Sequence, residues 1–198
     1  MNWKAPKVKT APALEPSTAA ELKTLLGIDS TETSFDTMLA AFITAARVGV
    51  EGHCKRSLIT QTLTRSFRSF PSPCGSLELL LPPVQSITAI TYLDEDGATK
   101  TLAASAYVVD LEEPFPRIFL APDQEWPETY DVPNAVTVEY VAGYGAAAIN
   151  VPAPLRVCVN SIAADLFEHR EAHVEVSNLV ESPSYKFLLS QYVIPGVA

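Results

Sequence analysis

Apolar positions near both ends of the chain recur every three or four residues, which is the spacing of a helix with one apolar face. The N-terminal set predicts a helix that ends near Lys55. Its apolar members are Phe35, Leu39, Phe42, Ile43, Ala46 and Val50. A shorter helix is expected before it, because Thr18-x-x-Glu21 has the pattern of a capping box and Gly27 suits a helix end.

The C-terminal set begins after Pro152 and Pro154, and proline is well placed in a first helical turn. The apolar face of this predicted helix comprises Leu155, Val159, Ile162 and Leu166. A last short helix is expected over about 184–191. Each end of the chain is too small to bury its own apolar face, so we expect the two ends to pack together.

Between these helical segments the period of the pattern falls from about 3.6 to about 2, which is typical of strands. Alternation over 60–67 predicts the first strand, and Asp94-Glu95-Asp96-Gly97 is typical of a hairpin turn. The other predicted strands are 77–81, 87–92, 99–102, 107–110, 117–120 and 135–141. Short strands at this close spacing favour a small antiparallel sheet or barrel over a β-α-β fold.

The predicted fold class is therefore α+β, with a helical bundle formed by the N- and C-terminal helices and an inserted small antiparallel β-sheet or barrel region. The predicted parts are a flexible basic arm at 1–16, N-terminal bundle helices at 17–57, the β region at 58–145, C-terminal bundle helices at 146–191 and an apolar tail at 192–198. The arm is expected to be mobile because it contains lysine and proline with little apolar content. The tail is expected to be buried against a partner, because exposed termini are usually polar.

Composition narrows the class of protein. With 198 residues, 47% of them hydrophobic and 19% charged, the chain suits one large or two small globular domains. No apolar run approaches the ~18 residues of a membrane span, and no secretory signal is evident, so we expect a cytoplasmic protein without membrane contact. Three cysteines without a C-x-x-C pair favour buried thiols over a disulfide framework or a thiolate metal site.

The net charge of −9 is unevenly distributed. Residues 94–139 hold eleven acidic residues, whereas residues 47–68 hold five lysine or arginine residues against Glu51 alone. This division suits head-to-tail contact between identical subunits, and the alternative is two separately solvated faces. The residues proposed for such contacts are Arg47, Lys55, Arg56, Arg65, Arg68, Asp94, Glu95 and Asp96. A broadly basic surface is missing, which disfavours tight sequence-independent DNA binding.

The motifs that could support catalysis are incomplete. His169 and His173 have the i, i+4 spacing of a zinc pair, but no third ligand is evident and a solvated helix end is the simpler interpretation. Asp94-x-Asp96-Gly97 does not continue as a calcium loop, and Gly143-Tyr144-Gly145 lacks the spacing of a phosphate loop. No nucleophile signature occurs. We therefore expect a protein that is not an enzyme and needs no metal or cofactor.

Several short segments, taken in order over about residues 20–194, resemble the head–tail connector (adaptor) family of long-tailed bacteriophages. Gene transfer agents carry similar proteins. The segments are Arg56-Ser57-Leu58-Ile59-Thr60-Gln61-Thr62, Phe70-Pro71, Leu81-Pro82-Pro83-Val84-Gln85-Ser86-Ile87, Tyr92-Leu93-Asp94-Glu95-Asp96-Gly97, Trp126-Pro127, Val138-Glu139-Tyr140-Val141-Ala142-Gly143-Tyr144-Gly145, Val151-Pro152-x-x-Leu155-Arg156 and Leu188-Leu189-x-x-Tyr192. No single segment is diagnostic, and their order and spacing carry the resemblance.

The resemblance implies a structural role. Members of that family form a ring, generally dodecameric, between the portal protein and the stopper or tail-completion protein, and DNA passes through the channel as cargo. It implies a location in a virion or virus-like particle, assembled in the bacterial cytoplasm. It also implies portal docking by C-terminal segments, for which the candidates are Tyr185, Phe187, Leu188, Tyr192, Val193 and Ile194.

Two other classes of function stay open. One is a carbohydrate- or ligand-binding β-module with a concave aromatic site. Its candidate residues are Tyr92, Tyr107, Trp126 and Tyr130. The other is a metal-dependent hydrolase that uses His169 and His173.

Overall fold

The computed structural model describes residues 5–112, 114–169 and 183–195. Its helices are α1 (Ala19–Leu26), α2 (Asp36–Cys54), α3 (Ala153–Glu168) and α4 (Pro183–Leu189). Its strands are β1 (Lys7–Thr10), β2 (Gln61–Phe67), β3 (Ser76–Glu78), β4 (Val84–Leu93), β5 (Thr99–Thr101), β6 (Tyr107–Asp110), β7 (Arg117–Leu120) and β8 (Val136–Ala142). Helices and antiparallel sheets occur together, which confirms the predicted α+β class. None of the helices described is both long and apolar enough to span a bilayer.

The chain divides into two compact units, and each is formed from two separate stretches of sequence. The first, called here the β unit, comprises Met1–Ala11 and Thr60–Gly143. The second, called here the helical unit, comprises Pro12–Ile59 and Tyr144–Ala198.

The β unit contains a five-stranded sheet in the order β1-β2-β8-β4-β5 and a three-stranded sheet in the order β3-β7-β6. The central strands β2 and β8 pair antiparallel, from Gln61 opposite Ala142 to Phe67 opposite Val136. Every second residue of β8 is buried, as expected for a strand with one face on a core. Side chains from both sheets form that core, including Leu63, Leu77, Ile90, Ile118, Val138 and Tyr140.

The expectation of a mobile arm at 1–16 is wrong for residues 7–10, which form β1 at the edge of the five-stranded sheet. Lys7 lies opposite Thr64, and Lys9 Nζ is 2.6 Å from Glu139 Oε2. All four residues are exposed, so backbone pairing and this ion pair hold the strand rather than apolar burial. Residues 1–4 of the expected arm lie outside the described part of the chain.

The helical unit has its own apolar core, to which each of the four α-helices described above contributes. Its buried members include Leu22, Leu39, Ile43, Leu155, Val159, Ile162 and Leu189. The capping box at Thr18 and Glu21 is formed as predicted, and Gly27 ends α1 in the left-handed conformation with φ of 68°. Lys55 ends α2 in the same conformation.

Candidate functional site

Residues 192–194 of the apolar tail pack on their own chain, which corrects the expectation that the tail is buried against a partner. Ile194 is only 4% exposed, and its backbone N–H donates to the Cys54 carbonyl at 3.2 Å. Tyr192 and Val193 also contact the helical core. The carbonyl of Tyr192 accepts a hydrogen bond from Nε of the buried Arg56 at 2.6 Å. Residues 192–195 are therefore part of the helical unit, and residues 196–198 of the tail lie outside the described part.

The candidates for portal docking on α4 differ in accessibility. The Tyr185 hydroxyl donates a hydrogen bond to Asp165 Oδ2 at 2.7 Å. Partial burial is the main cause that raises the pKa of Tyr185, and the nearby Asp165 carboxylate raises it further. Leu188 packs against the helical core, and the neighbouring Leu189, which was not a docking candidate, is fully buried. Phe187 is 80% exposed. Of the six docking candidates, Phe187 is therefore the one that presents a large apolar surface.

Arg47, a candidate for contacts between subunits, is buried on α2 between two carboxylates of its own chain. Its Nε lies 2.7 Å from Glu15 Oε2, and its NH1 lies 2.6 Å from Glu51 Oε2. Glu51 is itself largely buried and accepts the backbone N–H of Leu58 at 2.8 Å. Burial raises the pKa of Glu51 in spite of the opposing charge of Arg47. This cluster is an internal feature of the helical unit.

The rest of the basic segment is also divided between interior and surface. Arg56 and Arg65 are buried, and NH1 of Arg65 donates to the Glu78 carbonyl. Lys55 is partly exposed, and Arg68 is exposed with its NH2 2.7 Å from Asp131 Oδ1. Three of the five cations are therefore buried within their own chain, and a contact with another copy would depend on Lys55 and Arg68.

The acidic hairpin between β4 and β5 has one structural carboxylate. Asp94 Oδ1 accepts the backbone N–H groups of Asp96 at 3.2 Å and of Ala98 at 2.8 Å, which stabilises the turn. Glu95 and Asp96 are exposed. A hydrogen bond and the charge of Glu128 raise the pKa of Glu95, so this edge of the β unit carries negative charges that repel one another.

The aromatic candidates are only partly brought together, and Phe70, which was not among them, lies at the centre. Trp126 stacks on Phe70 with ring centroids 4.8 Å apart and an angle of 6° between the planes. Tyr92 contacts Phe70 edge to face at 5.6 Å. Tyr107 packs elsewhere on the same core, and Tyr130 is 46% exposed. A cleft of about 690 Å³ opens beside the Phe70–Trp126 stack.

The zinc hypothesis can be tested at only one of its two histidines, because His173 lies outside the described part of the chain. His169 caps α3, and one ligand atom each from Asp165, Glu168 and His169 lie within 4.8 Å of one another. The Asp165 carboxylate already accepts the hydroxyl of Tyr185, and His169 Nδ1 is 3.0 Å from the Asp165 carbonyl. The group is consistent with a polar, solvated helix end.

The buried thiols are poor nucleophiles. Burial raises the pKa of Cys54 to about 12 and that of Cys158 to about 11. Since the thiolate is the reactive form, both cysteines behave as small apolar side chains of the helical core. Cys74 is exposed in the loop between β2 and β3.

The comparisons with known proteins are informative only at the level of structure. No family model and no curated protein matches the chain. Among solved structures, the chain is similar to one in "Virion of native gene transfer agent (GTA) particle", with 21% identity and a TM-score of 0.75. It is also similar to chains in "Neck of empty GTA particle computed with C6 symmetry" (21% identity, TM-score 0.77) and "Neck of native GTA particle computed with C12 symmetry" (20% identity, TM-score 0.73).

Each of these likenesses covers 98% of this chain and 100% of the other. They therefore show that the whole fold, with both of its units, is shared.

Proposed function

We propose that the protein is a structural component of a phage-like particle, a head–tail connector that forms a homo-oligomeric ring in the neck. The observation that carries the proposal is the likeness to neck chains over 98% of this chain and the whole length of theirs. In the proposed role the ring joins the portal protein to the stopper or tail-completion protein, and DNA passes through its channel. The role requires no catalytic residue and no cofactor.

A ring of twelve copies is the proposed assembly, in keeping with the C12 symmetry of one of the similar necks. A closed ring needs a heterologous contact, in which one surface of a subunit meets a different surface of the next. The exposed side of α2 between Thr37 and Gly52 suits such a contact, because its own exposed residues are uncharged and small enough to allow a close approach of helices. These residues are Thr37, Ala41, Thr44, Val48 and Gly52. One of them, Thr44, donates its hydroxyl to the Glu15 carboxylate at 3.0 Å. We propose that the helices form the bundle that packs from copy to copy.

Charge contacts between neighbouring copies are proposed at the residues that the fold leaves accessible. Among the candidate residues, Lys55 and Arg68 are the accessible cations, and Glu95 and Asp96 are the accessible anions. The same acidic hairpin would disfavour attachment to DNA phosphates in a channel, since like charges repel.

Replacing Asp94 with Asn, Glu95 with Gln and Asp96 with Asn is expected to weaken ring assembly and to slow DNA ejection. The amide at position 94 can still accept the turn hydrogen bonds, so the hairpin should remain folded. Ring assembly is measured by light scattering at low and high salt, and ejection by release of packaged DNA. If assembly, its salt dependence and ejection are all unchanged, both charge-based proposals for this hairpin are wrong.

Docking to the portal is proposed at Phe187, the exposed apolar side chain of α4. Negative-stain imaging of the protein alone and after mixing with its cognate portal tests the connector role directly, and rings that cap the portal are the expected result. Phe187→Ser should weaken capping about tenfold or more, because buried aromatic anchors dominate interfaces. Leu25→Ser is the matched control, since Leu25 is also an exposed apolar residue of the helical unit, at 58%.

Two results would count against this assignment in different ways. Capping that survives Phe187→Ser would preserve the connector role and remove Phe187 as its docking residue. If the unaltered protein neither forms rings on the portal nor binds it, the connector role itself is wrong.

A further inference from the structure

The cleft beside the Phe70–Trp126 stack has a chemical character that the ring contacts proposed above do not use. Its volume is about 690 Å³, which is enough for several amino-acid residues. Its apolar lining is stiff, because rings supply most of it: Phe70, Pro71, Pro73, Trp126 and Pro127, together with Leu120. Grooves lined by aromatic rings and prolines recognise extended, proline-containing peptides, which pack their own pyrrolidine rings between those of the groove.

Trp126, one of the residues that line the cleft, also carries a buried polar group. Its indole Nε1 is buried and has no hydrogen-bond partner in the described part of the chain. An unpaired buried N–H is unfavourable, since the group has lost its contact with water without replacing it. An extended peptide carries backbone carbonyls without internal partners, so a small tilt of the indole ring would let one of them accept this bond.

The charged residues that line the cleft favour a positively charged ligand. Glu125 and Glu128 line it, and none of its described lining residues is Lys or Arg. The neighbouring Glu128 carboxyl raises the pKa of Glu95. A cation placed at this edge would relieve that repulsion, so a basic ligand is favoured over a neutral or acidic one.

A sugar ligand fits these observations less well than a peptide. Carbohydrate sites present the open face of an aromatic ring, whereas Phe70 and Trp126 each use one face to contact the other. Three prolines in the lining supply no backbone N–H donors for sugar hydroxyls.

We propose that this cleft binds an extended, proline-containing basic segment of a partner protein. The indole N–H of Trp126 donates to a backbone carbonyl of the segment, its prolines pack against Phe70 and Pro127, and a lysine or arginine pairs with Glu125 or Glu128. The inference goes beyond the proposed connector role, because ring formation and portal docking do not depend on the occupancy of this cleft.

The test is a titration of the full-length protein into a fluorescein-labelled peptide, Ala-Lys-Pro-Pro-Lys-Pro-Pro-Lys-Ala, followed by fluorescence anisotropy. Trp126→Phe keeps the ring stack and removes the donor, and it should weaken binding about five- to tenfold. A variant with both Glu125→Gln and Glu128→Gln should weaken binding by about tenfold and reduce its dependence on salt. Glu112→Gln is the matched control, an exposed acidic residue of the β unit that does not line the cleft.

Unchanged thermal unfolding of each variant shows that the β unit stays folded. If Trp126→Phe does not fold, the glutamate variant still tests the proposal. The proposal is overturned if the peptide does not bind at millimolar concentration, or if Trp126→Phe and the glutamate variant bind it as well as the control does. It is also overturned if a peptide with glycine in place of proline binds equally, which would show attraction of charge alone. Binding of cello- or chito-oligosaccharides in place of the peptide would assign the cleft to sugars instead. None of these outcomes bears on the capping of the portal.

Discussion

Arg47→Met is expected to lower the free energy of unfolding of the helical unit by about 3–5 kcal/mol at pH 8, because removing one member of a buried ion pair leaves the other charge uncompensated. Arg47 lies between Glu15 and Glu51, and the side chain of Glu51 is only 12% exposed. Methionine retains most of the volume and the straight aliphatic stem, so the loss reports the charge rather than a cavity.

The loss should depend on pH, with a sign that follows from linkage. Burial already raises the pKa of Glu51, and removal of the Arg47 charge should raise it further. The folded state then binds more protons than the unfolded state, so stability falls as pH rises above the unfolded value of about 4.3 towards the raised folded value. Below the unfolded pKa both states are protonated and the penalty disappears. The variant should therefore be closest to the unaltered protein near pH 4–5 and furthest from it at pH 8.

Urea unfolding followed by circular dichroism at pH 5 and pH 8 measures this difference. Arg68→Met is the control, because Arg68 and Asp131 form an exposed pair whose loss should leave the free energy of unfolding nearly unchanged. Adding Glu51→Gln to Arg47→Met should restore much of the stability at pH 8, since the amide oxygen can still accept the Leu58 N–H. A loss below about 1 kcal/mol, or one that is equal at both pH values, would show that Glu51 is not an uncompensated charge.

The same arginine shows where reasoning from sequence stops. The apolar stripe of α2 was predicted correctly through Ala46 and Val50, and both are buried. Arg47 follows Ala46 directly and was interpreted as a surface charge, because its partner Glu15 is distant in sequence. The i, i+4 relation between Arg47 and Glu51 was a local signal that could have suggested a pair, although it could not have shown that the pair is buried.

The strands show a similar limit. Those with clear alternation were predicted near β2, β4 and β8, where one face must be buried. β1 was missed because all its residues are exposed and its stability comes from pairing with β2, which no local pattern encodes. The stack of Trp126 on Phe70 was missed for the same reason, since it joins residues brought together only by the fold. Sequence patterns found the buried faces, whereas the candidate surfaces depend on contacts between distant segments.

Truncation of the chain after Gln191 is expected to lower the free energy of unfolding of the helical unit by about 4 kcal/mol. The truncation removes the burial of Ile194, worth about 2–3 kcal/mol. It also removes the Tyr192 carbonyl that accepts from the buried Arg56, and losing a partner of a buried charged donor costs about 1–3 kcal/mol. The expected result is a lower midpoint in urea, measured by circular dichroism.

A point substitution separates this stabilising role of the tail from docking. Ile194→Ala should cost about 2–4 kcal/mol, whereas Val157→Ala, at an aliphatic side chain that is 51% exposed, should change stability by no more than about 0.5 kcal/mol. If both the truncation and Ile194→Ala leave stability unchanged, the tail does not belong to the helical core in solution. If they destabilise as expected, a loss of portal capping after truncation would not identify a docking surface, because a destabilised helical unit could lose capping too. The docking question then depends on the exposed Phe187, whose substitution leaves the core intact.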